Sequence, residues 1–252
     1  MVLETGKKVY FLSDFHLGAP NDTESRKRED RLVRFLQDAR KDAGIIFIVG
    51  DIFDFWFEYK HAVPRGFVRI LGKIAEITDS GIPVHWFIGN HDMWIFDYLP
   101  QECGITLHKE PLLVEWEGKK LLIGHGDGLG PGDASYKFLK WFFRSAFCQW
   151  AFARLHPNFG IALAKWSSGY SRKSSGHKDA TFLGEANEWL AIYSKESLKT
   201  NHVDYFIFGH RHLPMEIQLN ENSKYINIGD WLSHFTYGVW ENGVFSLKEW
   251  KR

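Results

Sequence analysis

The chain is 252 residues long, which fits one large domain or one domain with an insertion. Hydrophobic residues make up 44% and charged residues 25%, values that exclude disorder along most of the chain. The formal net charge is zero, which argues against a protein that holds nucleic acid by a global basic field. Only two cysteines and no apolar run of about 20 residues are present, so the sequence predicts a cytoplasmic protein without a membrane span.

The first ninety residues alternate between predicted strands and helices. Short apolar runs predict strands at 8–12, 45–49 and 84–88. Apolar residues at helical spacing predict helices at 24–41 and 66–79. This strand–helix–strand repetition is typical of a parallel, buried sheet with helices packed on it.

The rest of the chain predicts a second set of strands. A hairpin is predicted at 112–116 and 120–123, followed by a helix at 182–199. Further strands are predicted at 205–208, 215–219, 225–228, 237–240 and 244–248. Asn242-Gly243 joins the last two strands as a hairpin turn. The pattern predicts two sheets with helices outside them.

Five segments share one feature, a hydrophobic strand that ends in polar residues able to bind a metal. They are FLSDFH (11–16), IVGDIFD (48–54), FIGNHD (87–92), IGHGD (123–127) and FGHRH (208–212). Side chains at the carboxyl ends of strands line the ligand crevice of an α/β sheet. Carboxylate, imidazole and amide oxygen suit divalent ions such as Mn, Fe or Zn. A single strand-end Asp or His usually has a local role, whereas five in one chain predict a metal centre.

In their order, D-x-H, G-D-x-x-D, G-N-H-D, G-H and G-H-x-H, these motifs resemble the calcineurin-like metallophosphoesterase family. The resemblance implies an α/β fold, a four-layer α-β-β-α sandwich of two mixed sheets. It also implies two divalent ions that activate water for attack on phosphorus and neutralise the phosphoryl oxygens. One ion would be held by Asp14, His16 and His212, the other by Asn90, His125 and His210, with Asp51 bridging.

The resemblance also implies a catalytic pair next to Asn90. His91 would lie near the scissile phosphate, where it would stabilise charge or protonate a leaving group. Asp92 would orient the His91 ring. The alternative is that His91 and Asp92 have no catalytic role and only make local hydrogen bonds.

A basic and aromatic stretch separates the fourth and fifth motifs. Residues 134–178 contain no Asp or Glu, and Lys and Arg alternate there with Phe, Trp and Tyr. Helices are predicted at 134–155 and 159–167, interrupted by Pro157. Such a stretch suits an anionic membrane surface, a cleft for an acylated phosphate ligand, or single-stranded nucleic acid. The structural alternative is a helical hairpin packed on its own domain.

The segments HGDGLGPGDASYKFLKWFFRS and LHPNFGIALAKWSSGYSRKSS resemble the family of UDP-2,3-diacylglucosamine diphosphatases, which carry an inserted helical lid. The resemblance implies a single domain, 1–252, with its lid at 132–178. It implies hydrolysis of the pyrophosphate of UDP-2,3-diacylglucosamine, usually with Mn²⁺, to UMP and 2,3-diacylglucosamine 1-phosphate in lipid A biosynthesis. The enzyme would contact anionic lipid peripherally, on the cytoplasmic face of the inner membrane. The implied substrate contacts are Asn90, His91, Asp133, Tyr136, Lys165, Ser168, Arg172 and His210.

Two other functions remain open from the sequence. One is another phosphoesterase, such as a nucleotide pyrophosphatase, a phosphodiesterase or a nuclease. Zero net charge argues against a nuclease, and no nucleic acid or protein partner is inferred. The other is a membrane-binding module with structural metals, against which the absence of cysteine ligands argues. One departure concerns the substrate, since the best-known branch of the diphosphatase family has Arg where this chain has His91.

Overall fold

Two mixed β-sheets form the centre of the fold. The computed structural model describes residues 3–131, 134–179, 181–182 and 184–251, with the side chains of 134–135 and 170–179 left out. The strands in chain order are β1 (Lys8–Leu12), β2 (Ala43–Val49), β3 (Val84–Phe87), β4 (Thr106–His108), β5 (Leu112–Trp116), β6 (Lys119–Gly124), β7 (Tyr205–Phe208), β8 (Met215–Gln218), β9 (Lys224–Asn227), β10 (Thr236–Glu241) and β11 (Val244–Glu249).

The first sheet has the order β11-β10-β1-β2-β3-β4, and the second has the order β5-β6-β7-β9-β8. In the first sheet β1 to β4 are parallel, and β10 pairs with β1 antiparallel. In the second sheet β6, β7 and β9 are parallel, flanked by the antiparallel strands β5 and β8. Both sheets are therefore mixed, as predicted.

Seven α-helices flank the sheets among the described residues. They are α1 (Asp22–Ala39), α2 (Val68–Asp79), α3 (Tyr98–Cys103), α4 (Ala134–Arg144), α5 (Ala146–Phe152), α6 (Pro157–Asp179) and α7 (Trp189–Ser197). Alternate residues of β1 divide the core, since Tyr10 and Leu12 pack with α1 and α2 while Val9 and Phe11 pack between the sheets. The outer face of the second sheet packs against α7. The predicted four-layer sandwich is confirmed.

The helix between 182 and 199 was predicted too long. The structure has a short 3₁₀ turn at Glu185–Asn187, and α7 begins only at Trp189. Gly184 has a φ of 86°, a left-handed value that interrupts a right-handed helix. The prediction is therefore correct only for the second part of this segment.

The helices α4, α5 and α6 lie between β6 and β7 in the chain, and we call them the lid helices. The predicted helix 134–155 is divided at Ser145, whose Oγ accepts from Cys148 N at 3.2 Å as the cap of α5. Pro157 begins α6, a position where its missing N–H costs nothing. The helix continues to Asp179, beyond the predicted end at 167. Among the described residues no helix is long and apolar enough to cross a membrane.

Candidate metal centre and adjacent cleft

The five motif-bearing strands bring their carboxyl ends to one place between the two sheets. Ligand atoms of Asp14, His16 and His212 lie within 4.8 Å of one another. Those of Asp51, His125 and His210 form a second such group, also within 4.8 Å. Asn90 joins the second group, with its Oδ1 at 3.2 Å from His125 Nε2. The residues of the two predicted ligand sets are thus neighbours in space.

Asp51 lies between the two groups. Its Oδ2 is 3.3 Å from His125 Nε2 and 3.7 Å from His16 Nε2. Asp51 is buried and follows β2, the strand next to β1 in the first sheet. The same oxygen thus faces both groups, while Oδ1 accepts from His91 N at 2.8 Å, so Oδ2 is the atom placed to act as a bridging ligand.

Several buried polar atoms of the centre lack a hydrogen-bond partner. They include Asp14 Oδ1 and both ring nitrogens of His16, although both residues are fully buried. Buried polar atoms without a partner are rare, and an ion in the site is one physical explanation. Carboxylate and imidazole donors in this number fit a divalent cation.

The backbone around the centre adopts left-handed conformations. Positive φ values occur at five of the predicted ligands, namely Asp14 (56°), His16 (43°), Asp51 (53°), His210 (69°) and His212 (52°). Such values are uncommon outside glycine and cluster at functional sites. The backbone at Gly89 also lies very close to Asp51, since a Cβ added to Gly89 would overlap the Asp51 carboxylate and lie 2.6 Å from the Asp51 nitrogen. Close ligand packing therefore requires glycine there.

Outer hydrogen bonds orient two of the imidazoles. Val49 O lies 2.8 Å from His125 Nδ1, so this nitrogen carries the proton and Nε2 faces Asn90. Asp230 Oδ2 lies 3.5 Å from His212 Nδ1, and its other oxygen accepts from His234 N at 2.9 Å. Asp230 was not predicted, although it too follows a strand end, in I-G-D after β9. The same strand-end signal would have found it.

Charge in the centre is unevenly distributed. Burial lowers the pKa of His125, but Asp51, Asp14 and Asp127 outweigh this effect and raise it to about 10. Burial raises the pKa of Asp51, yet His125 and other nearby imidazoles hold it well below its usual range. Burial lowers the pKa of His210 to about 4. Ionised carboxylates therefore crowd a buried space, and such a space attracts cations.

His91 joins the centre to the lid helices. Its Nδ1 is 2.8 Å from Ser168 Oγ on α6 and 3.2 Å from Asp54 O. Ser168 Oγ donates to Asp54 O at 2.8 Å, so the His91 Nδ1–H donates to Ser168. The carboxylate of Asp92 accepts from Gly89 N and Ile52 N, both at 2.8 Å. Asp92 thus holds the backbone of its own loop and of the loop after β2, whereas the sequence predicted that it would orient the His91 ring, whose Nδ1 instead faces Ser168.

The remaining residues predicted to contact the substrate differ in their surroundings. Tyr136 OH donates to Asp127 Oδ2 at 2.8 Å, and Lys140 Nζ lies 2.6 Å from the same oxygen. Asp127 was not predicted as a functional residue, although it closes the quoted IGHGD segment. Lys165 is exposed on α6. Arg172 lies in α6 with its side chain outside the description, and Asp133 lies outside the described residues.

A cleft opens beside the centre, under the lid helices. Its volume is about 380 Å³, within the range of small-molecule sites. Asn90 and His91 line it at the centre. Its apolar lining includes Phe55, Met93, Trp94, Leu139, Phe143, Phe152 and Leu163. The cleft combines the polar edge of the metal centre with an apolar interior.

The lid helices also present aromatic side chains to solvent. Those more than half exposed, called here the outer aromatic surface, are Phe138, Trp141, Phe147, Trp150, Phe159 and Trp166. Phe138 contacts Trp141 and Phe147 contacts Trp150, and clustered exposed apolar side chains often mark an interaction site. The aromatic residues of the lid helices thus divide between the cleft and the outside.

Comparisons with known proteins agree with this geometry. The model of the calcineurin-like phosphoesterase family matches residues 7–214. A protein of Porphyromonas gingivalis named UDP-2,3-diacylglucosamine hydrolase is 38% identical, over 96% of this chain and 97% of its own length. A protein of Histophilus somni with the same name is 27% identical, over 89% of this chain and 92% of its own length.

Proposed function

The chain belongs to the calcineurin-like phosphoesterase family, and from this we propose that it hydrolyses the pyrophosphate bond of UDP-2,3-diacylglucosamine. The products are UMP and 2,3-diacylglucosamine 1-phosphate, and the pathway is lipid A biosynthesis. Relatives that span nearly the whole chain carry the name of this hydrolase.

The observation that carries this proposal is the apolar cleft that begins at the metal centre. Asn90 and His91 belong to the centre and also line the cleft, so a ligand in the cleft has its polar end at the metals. Each buried methylene contributes about 0.8 kcal/mol, so two acyl chains supply much of the binding energy. A small phosphate ester without an apolar group would gain little binding energy from apolar side chains such as Trp94, Phe143 and Phe152.

The metal centre accounts for the phosphoesterase chemistry. Asp14, His16 and His212 would hold one ion, Asn90, His125 and His210 the other, with Asp51 between them. Two divalent ions, here proposed as Mn²⁺, supply an activated water and neutralise phosphoryl oxygens. Attack at the uridyl-side phosphorus breaks its bond to the bridging oxygen, which leaves with the sugar phosphate. A phosphate monoester is already a good leaving group, so this step has little need for a general acid.

Residues at the centre would position the reacting phosphate. The Nδ1 of His91 is engaged by Ser168, so Nε2 is the ring atom left for the substrate, and it would donate to a phosphoryl oxygen only in the doubly protonated form of the ring. Asp92 would support the loop that carries Asn90 and His91. We propose that the polar part of the substrate also contacts His210 and the lid residues Asp133, Tyr136, Lys165, Ser168 and Arg172.

The outer aromatic surface suits a membrane interface. Its rings stand beside lysines and arginines, in a stretch without acidic residues at 134–178. Each Lys or Arg near an anionic membrane contributes about 1 kcal/mol of binding. We propose peripheral binding to the cytoplasmic face of the inner membrane, where an acylated UDP-sugar is held in the bilayer.

The test compares UDP-2,3-diacylglucosamine with UDP-glucosamine as substrates of the purified full chain, with Mn²⁺ or with EDTA. We expect hydrolysis of the acylated sugar only with metal, with UMP and the diacylated sugar phosphate identified by mass spectrometry. Equal kcat/KM for the two substrates would refute the acylated substrate. Hydrolysis unaffected by EDTA would refute the metal centre.

A further inference from the structure

A buried ion pair outside the proposed catalytic machinery lies against the loop that carries two metal ligands. Arg211 stands between His210 and His212 in the chain, and its side chain is fully buried. Its Nε donates to one carboxylate oxygen of Glu188 at 3.0 Å, and its Nη2 donates to the other at 2.9 Å. Glu188, which precedes α7, is fully buried as well. The two side chains therefore form a bidentate pair removed from water.

A buried ion pair of this kind contributes little net free energy to the stability of the fold. Removing each ion from water is unfavourable, and apolar side chains of the same volume often stabilise the fold equally well. What the bidentate pair adds is direction, because the planar guanidinium and the carboxylate fit in one orientation. The position of Arg211 is thus fixed more firmly than packing alone would fix it.

The loop around Arg211 has a backbone conformation that its surroundings have to stabilise. His210 and His212 have φ values of 69° and 52°. The left-handed conformation is unfavourable for non-glycine residues, so it persists only where the surroundings enforce it. Arg211 Nη2 also donates to Thr181 O at 2.9 Å, and the guanidinium lies 4.5 Å from the ring centre of Trp189. Arg211 therefore connects the loop to α7 and to the segment that follows α6.

We propose that Arg211 and Glu188 are positioning residues that hold His210 and His212 in the conformation required to bind metal. The proposal rests on the metal centre of the proposed function. His212 belongs to one ligand set and His210 to the other, so displacement of Arg211 disturbs both. Changes to partners outside the ligand shell typically weaken metal affinity about 10- to 100-fold, and we expect a loss of that size.

The test separates positioning from stability. The full chain is stripped of metal, Mn²⁺ binding is measured by electron paramagnetic resonance of the free ion, and Tm is measured in EDTA. The double variant Glu188→Leu with Arg211→Met removes both charges and keeps most of the side-chain volume. We expect it to keep a Tm close to that of the unchanged chain while Mn²⁺ affinity falls about 10- to 100-fold. Unchanged affinity would overturn the proposal.

A matched control and a second variant complete the experiment. Glu58 is another buried carboxylate and accepts from Phe96 N and Asp97 N at 2.7 and 2.8 Å. Glu58→Gln should lower Tm and leave Mn²⁺ affinity unchanged, whereas an equal loss of affinity there would also overturn the proposal. If the double variant does not fold, Arg211→Lys keeps the charge without the bidentate geometry, and normal affinity in it overturns the proposal. Absence of Mn²⁺ binding by the unchanged chain would instead refute the proposed metal centre itself.

Discussion

Two phenylalanines of α5 allow the proposed binding of acyl chains to be tested separately from the proposed contact with the membrane. Phe152 lines the cleft, and its ring lies 4.7 Å from the rings of Phe57 and Trp94. Phe147 belongs to the outer aromatic surface and is 70% exposed. Replacing each with Ala is the same chemical change in the same helix, and we expect different consequences.

The magnitude follows from the apolar contact that each variant removes. Burying a phenylalanine side chain fully is worth about 1.5–3 kcal/mol, and every 1.4 kcal/mol is a factor of ten. Phe152→Ala should therefore lower kcat/KM for UDP-2,3-diacylglucosamine by about 10- to 100-fold. Its effect on a small chromogenic phosphodiester should be much smaller, because that substrate needs only the metal centre. Phe147→Ala should leave turnover in detergent unchanged and weaken binding to anionic vesicles.

The assay measures kcat/KM of both variants on both substrates in detergent, vesicle binding by sedimentation, and Tm. Tm is needed because Phe152 also packs against Phe57 and Trp94, so Phe152→Ala should lower stability as well. Equal losses of Phe152→Ala on the two substrates would show that this residue only supports the fold. No loss on either substrate would show that the acyl chains bind elsewhere and would refute the role of the cleft.

Four further predictions concern the metal centre and its reaction. Chelation should abolish activity, and added Mn²⁺ should restore it. The variants Asp51→Ala and His125→Ala should lose nearly all turnover while their circular dichroism spectra stay unchanged. Full activity of either variant at stoichiometric metal content would contradict the ligand assignment. Hydrolysis in ¹⁸O-water should label UMP, because water attacks the uridyl-side phosphorus, and label found only in the sugar phosphate would exclude this direction of attack. Mn²⁺ binding at neutral pH should release about one proton, because the pKa of His125 is raised to about 10 in the metal-free protein and a ligating imidazole is neutral. Calorimetry in buffers of different protonation enthalpy measures this release. The same raised pKa predicts that the contribution of His125 to the free energy of unfolding of the metal-free protein is lost as pH rises from 6.5 towards 10. A free energy of unfolding that does not change over this range would show that His125 is neutral there.

The clustering of the predicted ligands could be predicted from the sequence because its signals are local. Each of Asp14, Asp51 and His125 follows a strand whose apolar run is visible in the sequence, and the ends of parallel strands meet at one edge. The contact between Arg211 and Glu188 has no such signal. Their side chains meet because α7 packs on the second sheet, and no spacing in the chain expresses that contact.

The lid helices show the same limit at their ends. Ser145 caps α5 through a local hydrogen bond, a signal that the sequence contained and the prediction of one helix at 134–155 overlooked. The continuation of α6 beyond 167 coincides with tertiary contacts, since Ser168 donates to Asp54 O and accepts from His91. Such contacts override local propensity, and apolar periodicity alone does not report them.

The hydrogen bonds of the lid helices also restrict how a substrate is recognised. A hydroxyl has one proton, and the proton of Tyr136 is donated to Asp127 while that of Ser168 is donated to Asp54 O. As long as these bonds are kept, both hydroxyls can only accept, and a phosphate oxygen offers them no proton. In the proposed substrate a hydroxyl or amide N–H of the acylated sugar would supply such a proton to Tyr136, whereas Ser168 already accepts from His91 Nδ1. The negative charge of the proposed pyrophosphate would then be met by divalent ions in the metal centre and by cationic side chains such as exposed Lys165. The lid helices would thus recognise the sugar and its acyl chains, and the metal centre the phosphates.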